Sequence, residues 1–379
     1  MAEAPARGLA DVVAASTALS DIDGRAGRLS YRGYDINELA GHSSFEEIAF
    51  LLQRGAAPDR QQLDDYRGEL ANGRGVGSLA SSAMDGVAQR QHPMEALRSL
   101  VSLGSADDPD AGSNQPAANL RKAARLTAQQ PVLVAAYHAA RSGQKLPEAD
   151  PDLGIAANFL LQLSGTKPTE RAAEIFDICL VLHADHTMNA STFAARVCAA
   201  TLADMHSAVV AALGTLSGPL HGGANEQVMR GLEAIRDSGG DPVEAVGSQV
   251  AQRLASGEKI MGFGHRVYKT EDPRATHLRR MSAELAAEHG DDTYYRMSRR
   301  MEEVVLTEKG LYPNVDFFAA TVYYYLGIPT DLFTPVFSVS RMAGWTAHVI
   351  EQHADNRLIR PDSEYIGESG LTWVPLEAR

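Results

Sequence analysis

Three segments in the second half of the chain place reactive residue types where packing alone does not ask for them. The first is Gly218-Pro219-Leu220-His221-Gly222-Gly223-Ala224-Asn225. A histidine between a proline turn and two glycines is not helix-core material, and glycine lets backbone approach a ligand closely. A plain helix-capping turn is the other reading. The second segment runs from Lys259 to Arg274 through Gly262-Phe263-Gly264-His265-Arg266-Val267-Tyr268-Lys269. It opens a basic island: residues 259–280 hold six Lys or Arg (259, 266, 269, 274, 279, 280) and two acids (271, 272), a local net of +4 in a chain of net −13. Such an island focuses the field on an anionic substrate, although a solvated basic face has the same composition. Its Gly-x-Gly lacks the third glycine of a dinucleotide loop, because Val267 stands there. The third segment is Tyr312-Pro313-Asn314-Val315-Asp316-Phe317-Phe318. A carboxylate amid apolar side chains has its charged form disfavoured and its pKa raised, which suits a general base. Asp316 also suits the N-cap of a following helix.

A fourth segment, HADHTMNAST at 183–192, spaces His183 and His186 three apart, a spacing that could put both on one helix face. That spacing admits metal ligation, but there is no HExxH and no evident third ligand. A substrate-binding His186 is the better expectation. No G-x-S-x-G elbow accompanies His221, and no P-loop occurs.

These segments need a scaffold, and the rest of the sequence describes one. At 379 residues the chain is long for a single core and predicts two domains, or one large domain with an insertion. Hydrophobic residues at 44% and charged residues at 22% are those of a globular protein, and the acidity argues against nucleic acid or anionic membrane as partner. Cys179 and Cys198 lie in apolar stretches without metal spacing and read as buried thiols of a reducing compartment. The beginning MAEAPARGLADVV has no basic region before an apolar core. The charge-free run Met205–Asn225 carries two histidines, a proline and an asparagine, and reads as a buried helix entering a polar turn. A cytoplasmic protein is expected.

The periodicity is mainly helical. Phe45, Ile48, Ala49, Leu51 and Leu52 share one face of a helix that begins after Ser43-Ser44. Similar patterns cover 117–142, 150–164, 169–183 and 191–214, the last apolar nearly all round and so predicted to be one buried helix. Residues 104–116 and 142–153 read as exposed loops, and 237–242 (DSGGDP) as a break. The clearest strand signal, 29–34, follows a turn at Asp23-Gly24 and predicts a small N-terminal hairpin.

In order, HADHTMNAST, GPLHGGAN, MGFGHRVYKTEDPR, PNVDFF, FSVSR and RLIRP resemble the citrate synthase family, and the likeness runs from LSYRGYDINELA to Arg360-Pro361. The resemblance is to its compact homodimeric type, known from archaea and Gram-positive bacteria. It implies a mainly α fold: a large helical domain (1–221 and 322–379), an inserted smaller one (222–321), and a cleft between them that closes on substrate. It implies an acyltransferase that condenses acetyl-CoA with oxaloacetate and water to citrate and CoA, the step feeding the tricarboxylic acid cycle, with no cofactor and no metal. Matched residue by residue, it makes Asp316 the base, His221 the partner of the thioester oxygen, and His265 the group that polarises the oxaloacetate carbonyl. It gives the substrate carboxylates to His186, Arg274, Arg341 and, from the neighbouring subunit, Arg360. For CoA it implies Lys259, Ile260, Met261, Gly262, Phe263, Gly264, Arg266, Lys269, Lys309 and Asn314. A neighbouring reading is 2-methylcitrate synthase, which uses propionyl-CoA. From other classes come a metal-dependent hydrolase built on His183, Asp185 and His186, and a non-catalytic CoA-binding protein.

Overall fold

The computed structural model describes residues 7–9 and 12–379. It begins with an antiparallel hairpin, β1 (Ser20–Asp23) on β2 (Arg28–Tyr31), to which β3 (Tyr34–Asp35) adds. Ser20 stands opposite Tyr31 in the register. Ten helices follow: α1 (Ile36–Leu39), α2 (Phe45–Arg54), α3 (Arg60–Asn72), α4 (Ser78–Ala88), α5 (Pro93–Gly104), α6 (Pro116–Arg141), α7 (Ile155–Ser164), α8 (Glu170–His183), α9 (Ala190–Ala200) and α10 (Met205–Leu216). Then come α11 (Ala224–Asp237), α12 (Pro242–Ala255), α13 (Pro273–His289), α14 (Thr293–Lys309), α15 (Val315–Tyr325) and α16 (Phe333–Ala354). Among the described residues no helix is long and apolar enough to cross a membrane.

Local chemistry explains the boundaries that matter. Ser44 and Glu47 form a reciprocal capping box that starts α2. The polar run 237–242 separates α11 from α12, with Gly239 and Gly240 both at positive φ. The core runs along α16, buried from Phe333 through Val349 and packed against α2, α6, α8, α9 and α10. Its closest approach is at Gly344, where a Cβ would stand 2.4 Å from the Ala184 carbonyl oxygen, so no larger residue fits without moving the 184–186 backbone. Helices α11 to α15 pack mainly on one another.

Two expectations fail. Residues 191–214 form two helices, α9 and α10, because Leu202 turns the chain at φ 66° and Asp204 caps α10 by accepting from the Ser207 N–H at 3.1 Å. No glycine or proline marks that break, so its apolar periodicity reads as continuous. The 104–116 loop is also not simply exposed. Arg125 reaches Asp108 and Asp110, each at 2.6 Å, and draws the Asp108 carboxylate into the protein.

Candidate active site

The turn after α10 carries His221. Gly222 donates its N–H to the Leu216 carbonyl at 3.0 Å, and a Cβ there would lie 2.3 Å from the same oxygen, so only glycine makes this turn. The His221 ring points at the start of α9. Its Nε2 lies 3.2 Å from the Ser191 backbone nitrogen and 2.8 Å from Ser191 Oγ. A backbone N–H can only donate, so Nε2 is the acceptor and the ring proton sits on Nδ1. That amide belongs to the first turn of α9, a positive helix end that disfavours imidazolium. Burial first, then the charge of Arg341, pulls the His221 pKa to about 4.

His265 is held in the opposite tautomer. Its Nδ1 accepts from the Val267 N–H at 2.9 Å and the Tyr268 N–H at 3.1 Å, which puts the proton on Nε2. Burial, then Arg274, brings its pKa to about 4 as well. Both imidazoles are therefore neutral hydrogen-bond donors at neutral pH.

A short bridge brings His265 to Asp316. Gly264 N–H donates to the Tyr312 carbonyl, and Asn314 N–H to the Gly262 carbonyl, each at 2.9 Å, around a Phe263–Pro313 pair. Gly262 sits at φ 82°, and a Cβ would press within 2.8 Å of Phe317 and Val228. The N-cap of α15 is Asn314, which accepts from the Asp316 N–H at 3.0 Å. The capping alternative for Asp316 thus falls away. Its partly buried carboxylate accepts no protein hydrogen bond among the described residues. Burial raises its pKa to about 6, Asp272 adding to the rise and Arg274 and Arg341 opposing it.

The two arginines are 2% exposed each, yet differently partnered. Arg274 grips Asp272 with Nε at 2.9 Å and Nη2 at 2.7 Å, leaving Nη1 without an acceptor among the described residues. Burial works against its charge, but Asp272 outweighs it and raises the pKa. Arg341 donates only through Nε, to the His183 carbonyl at 2.8 Å, and lies on the Phe337 ring at 4.6 Å. Burial lowers its pKa to about 10, and among the described residues no carboxylate pairs with it. A buried guanidinium with both terminal nitrogens unused is a site for an anion, and its planar fork suits a carboxylate. His186 completes the group, its ring 5.2 Å from that of His265, its Nε2 buried without a partner. Burial, then Arg274 and His265, holds its pKa well below the usual value.

Beyond these groups opens a cleft of about 700 Å³ lined by His221, Lys259, Ile260, Met261, Gly262, Phe263, Lys309 and Asn314, among others. Gly264, Arg266 and Lys269 do not line it. Arg266 and Lys269 are exposed, and Gly264 serves the bridge instead. Arg360 is also away from it, exposed, paired with Asp362 at 2.6 Å and lining a second groove with Phe193 and Arg196.

Sequence reasoning missed the residues that set the histidines and arginines. Ser191, with Trp345 donating to its hydroxyl at 3.2 Å, fixes His221. Its only signal is Asn189, a cap residue just before an apolar run. Asp272 stands two residues before Arg274, and that spacing was readable. The hydrolase trio does not converge: His183 Nδ1 meets the Cys179 carbonyl at 2.7 Å, Asp185 pairs with His348 at 3.2 Å, and His186 faces His265.

Residues 8–362 match the family described as citrate synthase, C-terminal domain. A citrate synthase of Haloferax volcanii is 49% identical over 98% of each chain. A 2-methylcitrate synthase of Shewanella oneidensis is 40% identical, over 98% of this chain and 97% of its own. The structure of a Thermoplasma acidophilum citrate synthase, a ternary complex with carboxymethyl coenzyme A and oxaloacetate, superimposes with a TM-score of 0.90 at 30% identity over 98% of both chains. With the family's pattern along residues 8–362 and a relative 49% identical end to end, the chain belongs to the citrate synthase family.

Proposed function

We propose that this chain condenses acetyl-CoA with oxaloacetate and water to give citrate and CoA. The observation that carries the proposal is a pair of neutral histidines in opposite tautomers beside a carboxylate raised to about pKa 6. A thioester α-proton is weakly acidic, so a base must act together with a donor on the developing oxyanion. Asp316 takes the proton from the acetyl methyl. His221 Nδ1–H meets the thioester oxygen without bringing a full charge into the site, as neutral imidazoles do in other enolising enzymes. His265 Nε2–H polarises the oxaloacetate carbonyl, and the enolate carbon attacks it. Water then cleaves the citryl thioester. None of these steps calls for a metal or a bound cofactor.

Oxaloacetate carboxylates fall to Arg341, the free Nη1 of Arg274, and His186. The CoA moiety takes the cleft bounded by 259–264, Lys309 and Asn314, with Arg266 and Lys269 reaching its phosphates once the cleft narrows. The domain division at 222–321 fits the mutual packing of α11 to α15. Closure between the domains shields the intermediate from water. In a cytoplasmic homodimer, Arg360 completes the partner's site. The deciding experiment measures thiol release from acetyl-CoA and from propionyl-CoA, with and without oxaloacetate. Faster oxaloacetate-dependent release from acetyl-CoA supports the proposal. A preference for propionyl-CoA moves the chain to 2-methylcitrate synthesis, and no release from either removes the condensing reading.

A further inference from the structure

Next to His186 lies a buried polar chain that the proposed chemistry does not use. The Asp185 side chain is fully buried, and its Oδ2 accepts from Ser20 Oγ and from His348 Nε2 at 3.3 Å, with Oδ1 lying 3.2 Å from the same nitrogen. The His348 proton is on Nε2, because Nδ1 accepts from Arg196 Nη1 at 3.0 Å. Arg196 in turn pairs with Glu351 at 2.6 Å. Serine, aspartate and histidine are the residue types of a hydrolytic triad, but here the carboxylate sits between the other two. The serine therefore meets a carboxylate and no imidazole, and all three are buried.

What the chain does hold is a turn. Thr187 has φ 48°, a conformation a β-branched residue adopts only when its surroundings impose it. Its N–H donates to Ser20 Oγ at 3.0 Å and reaches Asp185 Oδ2 at 3.3 Å. His186 stands between Asp185 and Thr187, so the direction of its ring toward His265 is fixed from both sides. Ser20 belongs to the hairpin, and its cross-strand neighbour Tyr31 grips the same turn, its hydroxyl 3.1 Å from the Asp185 carbonyl. The hairpin's own turn meets the other substrate loop, where Lys269 N–H donates to the Gly24 carbonyl at 2.8 Å. A Cβ on Gly24 would lie 2.3 Å from the Val267 oxygen.

We propose that Asp185 is a positioning residue for oxaloacetate: tied to Ser20 of the hairpin and to His348, it locks the strained turn that aims His186 at the substrate. The inference rests on the condensing activity proposed above. It is tested by measuring the oxaloacetate dissociation constant by calorimetry, alongside kcat and both KM values. Asp185→Asn removes the charge and keeps the shape. It should weaken oxaloacetate binding and raise its KM roughly tenfold or more, the scale of a lost hydrogen bond to a charged group, with the acetyl-CoA KM within about threefold of wild type. Ser20→Ala should act in the same direction, and Ser20→Thr, which restores the hydroxyl on a strand, should rescue it. The Ser20 pair keeps the test decisive if Asp185→Asn does not fold. Unchanged oxaloacetate binding in Ser20→Ala overturns the proposal. So does a loss in which Tm falls while both KM values rise alike, the mark of a merely structural role. A wild-type chain that binds oxaloacetate but releases no thiol sinks the condensing reading instead, and leaves the binding comparison to judge Asp185.

Discussion

The two ends of the cleft recognise charge by opposite means. At the inner end Arg274 and Arg341 are each 2% exposed, and the imidazoles around them are kept neutral by burial and by those same positive charges. At the outer end Lys259 and Lys309 line the cleft and are exposed, with apolar side chains such as Ile260, Met261 and Phe263 among the lining, and Arg266 and Lys269 are exposed outside it. A buried guanidinium without a carboxylate is costly in the empty protein and strongly rewarded when a carboxylate arrives. A solvated lysine gains little from any one partner. The inner end is therefore where specificity and large mutational effects belong, and the outer end where binding is spread thin.

The largest effect should come from Asp316, and it should run in two directions at once. Asp316→Asn should cut kcat by about 10³-fold, within the range of a lost general base, while oxaloacetate still binds. The same change should stabilise the fold. A carboxyl raised from 3.8 to about 6 binds its proton more tightly in the native state than in the unfolded chain. Its stabilising contribution is therefore present at low pH and is lost as pH rises through about 6, at a cost of about 2–3 kcal/mol at pH 7. Asparagine carries no such cost, so thermal denaturation at pH 7 should show a higher Tm. A lower Tm together with wild-type turnover would break the assignment of the base.

Arg341 comes next and sharpens the contrast with Arg274. Arg341→Met should raise the oxaloacetate KM about 100-fold, since a bidentate fork to a carboxylate is lost, yet Tm should hold or rise because no carboxylate is left behind. Arg274→Met should also harm oxaloacetate binding, but with a clear loss of stability, because it strands Asp272 buried and unpaired. Equal Tm changes in the two variants would contradict the partnering described above.

The pH profile separates carboxylate from imidazole. The acid limb of kcat/KM should fall near pH 6 with a slope of one, set by Asp316, since the two histidines near pKa 4 stay neutral throughout that range. A limb near pH 4 would hand the titration to His221 or His265.

How much of this was readable beforehand depends on where each cause lies along the chain. Local causes were legible: the capping signal of α2, the turn at 237–242, the hairpin, and the motifs that carry His221, His265, Asp316 and Arg274. Causes distant in sequence were not. The His221 tautomer depends on an amide thirty residues away at Ser191. The two arginines carry the same residue type, and only the fold decides that Arg274 meets Asp272 while Arg341 meets a backbone carbonyl. The hairpin was visible as a hairpin, but its grip on the 185–187 and 267–271 turns exists only once the chain has folded back over α8. The break between α9 and α10 hid because Leu202 keeps the apolar pattern unbroken while reversing the backbone.

The smallest effect should lie at the outer end. Lys309 lines the cleft at the last turn of α14, exposed and without an acidic partner among the described residues. Lys309→Ala should raise the acetyl-CoA KM only about two- to fivefold and leave kcat and the oxaloacetate KM alone. The defect should also shrink as salt rises from about 0.05 to 0.5 M, because added ions screen the wild-type contact until it differs little from alanine. Steady-state kinetics across that salt series decide the matter. A large salt-independent defect would mean that Lys309 is desolvated on closure and behaves like the buried arginines, and the outer end would then owe its weak recognition to the open state alone.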